Sequence, residues 1–155
     1  MNFNRKNLRF EKINLSINQI MKLKTIFWIA AVLMLLQLLP LLGAMISPDV
    51  KAALILDAFG VETLSPDGDL MFDTFALVLG CVALGIFFMM VGITSIEDLA
   101  ALKRLSFLLF VVMGFFALPD LINAFAGKPT APLPVILLNL AALGLLLYGS
   151  KKGTA

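Results

Sequence analysis

The chain has 155 residues, 61% of them hydrophobic and only 14% charged, with a net charge of +2 and a mean hydropathy of +1.01. A soluble domain carries about 25% charged and 45–50% apolar residues, so a chain this apolar lacks the polar groups to cover a folded surface in water, and lipid is its solvent. The small net charge gives no argument for nucleic acid. The absence of histidine removes the commonest metal ligand and general base and the usual protein ligand of haem, and one cysteine, Cys81, excludes an internal disulfide or a four-cysteine cluster.

Residues 1–24 are basic. Phe10, Ile13, Ile17, Ile20 and Met21 recur at helical spacing, with Arg9, Lys12 and Asn14 elsewhere on the wheel, which predicts an amphipathic segment on the cytoplasmic membrane surface. A disordered tail, or translation starting at Met21, accounts for the same residues. A cleaved leader fits less well, because the apolar run that follows is longer than the 7–15 residues of a signal core and LLGAMIS lacks a small-residue cleavage site.

Four apolar runs, about 25–46, 72–93, 105–126 and 133–149, approach the roughly 20 residues that cross a hydrocarbon core of about 30 Å. In lipid they must be helices, since open strands would leave backbone groups unpaired. The predicted fold is all-α: a four-transmembrane-helix bundle at 25–149, followed by a short tail at 150–155. Between the first two runs, Ser47-Pro48-Asp49 supplies a cap, a proline at N1 and an early acid, and Gly60 a stop, so a short interfacial helix over about 48–59 is expected. Ser65-Pro66-Asp67-Gly68 suits a type I turn before the second run. Thr94 or Ser95, each with an acid three residues on, is placed to cap a third helix running from about Ile96 to the region of Pro119. GKPTAPLP leads into the fourth.

Ten of the 12 basic residues lie before the first run, between the second and third, or after the fourth. Only Lys51 and Lys128 lie on the other side, so the positive-inside rule places both ends in the cytoplasm of a bacterial inner or organellar membrane. The 48–73 loop outside is acidic.

An ionisable group inside a span is a functional candidate. Asp120 lies roughly 22 Å beyond Leu105, and Asn139 roughly 9 Å into the fourth run from the same side. Asn123 is one turn past Asp120. The three are expected at similar depth, as a site for a polar headgroup or small ligand, or as a structural hydrogen-bond cluster with Asp120 snorkelling beside Pro119. Gln37, roughly 18 Å into the first run, is expected to satisfy a carbonyl freed by Pro40. Ala76/Gly80 and Cys81/Gly85 are small-residue pairs at helical spacing, which predict that the second span is the central packing helix. The sequence contains no phosphate-binding loop, paired metal-ligand spacing, hydroxyl nucleophile with a base, or mid-membrane carboxylate pair.

Residues 25–149 resemble the DoxX-like group of small four-helix membrane proteins. The likeness is carried by the basic start, the outer loop with its short helix, the glycine-dotted ALVLGCVALGIFF, the minimal basic turn LKR and the proline-led PLPVILLNLAALGLLLYG. Many members of that group have no assigned activity, and some relatives are similar to subunits of quinone-linked oxidoreductases. The combined expectation is a non-enzymatic accessory or structural subunit, in contact with lipid and other membrane subunits, with no required cofactor. The alternative is a carrier or binding module for a lipid, quinone, pigment or other apolar molecule within the bundle.

Overall fold

The computed structural model of the chain describes residues 22–128 and 131–154; the expected amphipathic segment lies, up to residue 21, outside the described residues. Five helices follow in order: α1 Leu23–Ala44, α2 Pro48–Phe59, α3 Pro66–Ile93, α4 Leu99–Phe125 and α5 Leu133–Lys152. Four of them, α1, α3, α4 and α5, are long and apolar enough to cross a membrane. The fold is an all-α four-helix bundle with a short helix, α2, between its first two spans, and the protein is an integral membrane protein.

Local chemistry sets the helix ends. The Ser47 hydroxyl accepts from the Val50 N–H at 3.5 Å and Gly60 closes α2 in the left-handed region at φ 69°, a conformation glycine adopts without steric cost. Two expected boundaries are corrected. Ser65-Pro66-Asp67-Gly68 is no separate turn: Ser65 caps α3 through the Gly68 N–H at 3.2 Å and Pro66 is its first residue. Thr94 and Ser95 cap nothing ahead of them, because their hydroxyls donate back to the carbonyls of Val91 and Gly92 at 2.6 and 2.7 Å. Asp98 caps α4 instead, accepting from the Ala100 N–H at 2.9 Å. Nor does Pro119 end that helix, which continues to Phe125; prolines are tolerated in membrane helices where neighbours satisfy the freed groups.

The packing centre is α1, not the second span. α1 packs closely on α2, α3 and α5 and more lightly on α4, while α4 packs on α5. α3 and α4, though joined by a tight turn, are not a closely packed pair. The reason lies in the small-residue pairs. Five residues advance a helix by about 140° around its axis, so Ala76/Gly80 and Cys81/Gly85 lie on different faces. Ala76 and Gly80 are buried, with Leu42 of α1 and Met45, which follows its last residue, nearest to Gly80, whereas Cys81 and Gly85 are exposed.

Burial is concentrated at the end where the described residues begin and stop, near Leu23 and Thr154. Leu23, Ile26 and Phe27 of α1, Met90 of α3, Leu102 of α4 and Leu146 of α5 are fully buried there. The buried Ser106 hydroxyl donates to the Leu146 carbonyl across the α4–α5 interface at 2.7 Å. The Leu23 N–H donates to the Thr154 carbonyl at 2.8 Å, so the two described ends lie side by side.

Candidate functional site

Toward the opposite end the helices line a cavity of about 430 Å³. Every helix contributes to it at helical spacing: Gln37 and Leu41 from α1, Val50, Ala53, Leu54 and Asp57 from α2, Leu79, Ala83 and Ile86 from α3. Met113, Phe116 and Asp120 of α4 and Val135 and Asn139 of α5 also line it, with Ala131 and Pro132 from the turn before α5 and Met34, Leu38 and Pro40 from α1. Ile86 and Met113 also belong to the buried core and so form the floor. Leu79 and Phe116 line the cavity while staying exposed. They stand within the spans of α3 and α4, the two helices that do not pack closely on each other.

Four polar side chains interrupt this apolar lining: Gln37, Asp57, Asp120 and Asn139. The Asp120 carboxylate accepts from the Ala131 N–H at 3.2 Å, which ties the end of α4 to the turn leading into α5. It therefore has a structural bond and a place in the wall at once. Asn139 comes from α5 to the same cavity, and Asn123 is not among the lining residues. The Asn123 carbonyl instead accepts from the Lys128 N–H at 2.9 Å in the turn after α4.

Gln37 is the second correction to the sequence reading at this site. Its Nε2 is buried without a hydrogen-bond partner among the described residues, so it does not satisfy a carbonyl freed by Pro40. Leaving a buried donor unpaired costs on the order of 1–3 kcal/mol. Asp57 is not among the candidate site residues of the sequence, although a helix as apolar as ALILDAF is suited to lie against the membrane or over the bundle mouth. The signal was present: Val50, Ala53, Leu54 and Asp57 fall at i, i+3, i+4 and i+7, one face of a helix.

α2 is held over the bundle by an ion-pair clamp. Lys51 Nζ lies 2.8 Å from Asp69 and 2.6 Å from Asp73 on the first turns of α3, and 5.6 Å from the centre of the Phe72 ring. Hydrogen bonds to Asp69 and then Asp73 hold the Lys51 ammonium above its ordinary value of 10.5. A raised lysine contributes its stabilisation fully below that ordinary value and loses it only as pH rises through the raised one. Replacement Lys51→Met is expected to speed amide hydrogen exchange across residues 48–59 while leaving the bundle's melting temperature nearly unchanged. The native protein should show the same loosening only in alkali above pH 10.5. Unchanged exchange in α2 would remove the clamp from the account.

The described lining thus offers one unpaired amide donor, a second amide and two carboxylates, with no cationic, thiol or hydroxyl side chain among them. Such a set orients a ligand by hydrogen bonds. Cys81 lies on the exposed face of α3, away from the cavity lining. No family model, curated protein or solved structure matches the chain.

Proposed function

We propose that this integral membrane protein is a binding or carrier module for an amphiphilic small molecule, a lipid or quinone-like compound, held in the outer cavity. The carrying observation is the buried Gln37 Nε2, unpaired among the described residues, on a residue in the wall of an apolar space of about 430 Å³. That volume falls in the range of about 300–1,000 Å³ usual for small-molecule sites, which combine apolar walls with a few polar groups. The gap between α3 and α4 supports entry from the lipid rather than from water. The two carboxylates and the absence of a cation in the lining favour a neutral or hydroxylated head over an anionic one. Native mass spectrometry of protein extracted in a mild detergent tests this reading. A retained apolar molecule is expected, and protein that flies empty from every mild detergent would sink it.

A second reading, accessory subunit of a larger membrane assembly, is supported by the outward face of α3. Cys81 and Gly85 are exposed there, and nothing lies within 4 Å of a Cβ built at Gly85, so another helix has room to approach. A DoxX-like kinship is compatible with both readings. A partner that co-purifies with the native chain but is lost from Gly85→Phe supports the subunit reading, and a chain that migrates alone counts against it.

The charge bias supports a cytoplasmic location for both ends. In a Cys81→Ser background, a membrane-impermeant maleimide added to intact cells should label Ser65→Cys and spare Thr154→Cys. The reverse pattern would invert the topology.

A further inference from the structure

A second groove lies at the other end of the bundle, between the beginning of α4 and the end of α5. It encloses about 430 Å³ and is lined by Lys103, Arg104, Phe107, Leu108, Ser150 and Lys151. Three cations and no carboxylate face it, and among the described residues none of the three takes part in an ion pair. The Ser150 hydroxyl is turned away from them toward the Leu147 carbonyl, to which it donates at 2.7 Å.

Depth sets the chemistry. α5 has 20 residues, roughly 30 Å of helix, which matches the hydrocarbon core, so Lys151 emerges where acyl chains give way to headgroups. Lys103 and Arg104 stand on the second turn of the longer α4, and Phe107 and Leu108 follow one turn deeper, both exposed. The groove is therefore cationic at headgroup level and apolar immediately beneath. Lysine and arginine together suit a phosphate oxygen cluster, the arginine by its fixed fork of donors and the lysines as point charges.

We propose that this groove is a site for the phosphate of an anionic phospholipid, with the acyl chains lying along Phe107 and Leu108. It is separate from the outer cavity and does not depend on that cavity's ligand. Free phosphate offers the same head chemistry, but it has no use for the apolar floor.

The full chain in phosphatidylcholine nanodiscs doped with spin-labelled phosphatidylglycerol or spin-labelled phosphatidylcholine tests the site. The immobilised fraction should favour phosphatidylglycerol. Each groove cation is worth roughly fivefold in anionic-lipid affinity, so Lys103→Gln, Arg104→Gln and Lys151→Gln together should reduce the preference roughly a hundredfold. Lys22→Gln, Lys24→Gln and Lys152→Gln, which remove the same charge near the same end but outside the groove, should leave most of it. Equal losses from the two triple variants would mean diffuse attraction and overturn the site. Displacement of the labelled lipid by millimolar inorganic phosphate, or no preference for phosphatidylglycerol at all, would overturn it as well. Lys151→Gln alone, an exposed change near the helix end, reads the same effect at roughly fivefold should the triple variant fail to fold.

Discussion

Gly149→Leu should destabilise the bundle by about 3 kcal/mol or more, read as unfolding in a denaturing-detergent titration. A Cβ at position 149 would stand 2.9 Å from Ser106 Oγ, 3.0 Å from Leu23 Cδ2 and 3.2 Å from Ile26 Cδ1. Leu23 and Ile26 are fully buried, so neither has free space to retreat into. Ser106 can rotate its hydroxyl only by abandoning the Leu146 carbonyl, a bond of the class worth about 0.6 kcal/mol and at most about 1.7 in membrane proteins. The remaining cost is overpacking where α1, α4 and α5 meet. Gly144→Leu on the same helix is the control, since nothing lies within 4 Å of a Cβ there, and it should cost nothing measurable. Equal effects of the two substitutions would show that the terminal end is not packed as described.

Gln37→Leu should have two effects of opposite sign. Removing a buried Nε2 donor that has no partner among the described residues relieves a desolvation cost, so the empty protein should unfold no more easily and gain up to about 1–3 kcal/mol. Retention of the bound amphiphile should fall by roughly tenfold to a hundredfold, because the ligand's acceptor would lose its donor in an apolar site. Asn139→Leu should lower retention in the same direction from the α5 part of the lining. Asp120→Ala is less clean, because that carboxylate also holds the Ala131 N–H. If Gln37→Leu and Asn139→Leu both bound the ligand as the native chain does, the cavity would not be the binding site.

The two substitutions probe opposite ends of one asymmetric bundle. Close packing at the terminal end is made by small groups, Gly149 and Ser106, that let backbones approach. At the far end the chain spends length on α2, which covers the bundle mouth and is clamped through Lys51. The Gln37 and Asn139 side chains stand in the wall of the hollow beneath α2, which α3 and α4 also line without packing closely on each other.

Much of this was legible in the residues alone. Four spans follow from apolar length, because lipid forces such segments to be helical. Ser47, Pro48 and Gly60 set the bounds of α2 through capping and backbone preferences that need no tertiary partner. The depth of Asp120 and Asn139, measured by helical rise, placed them near one another, and both line the cavity. Which face of each span turns inward was not legible. In water an amphipathic stripe marks the buried face, but a membrane helix is apolar toward lipid and core alike. Only the packed structure decided that α1 is central, that Ala76 and Gly80 are buried while Cys81 and Gly85 face out, and that Gln37 stands in the wall of a hollow with its Nε2 buried and unpaired among the described residues.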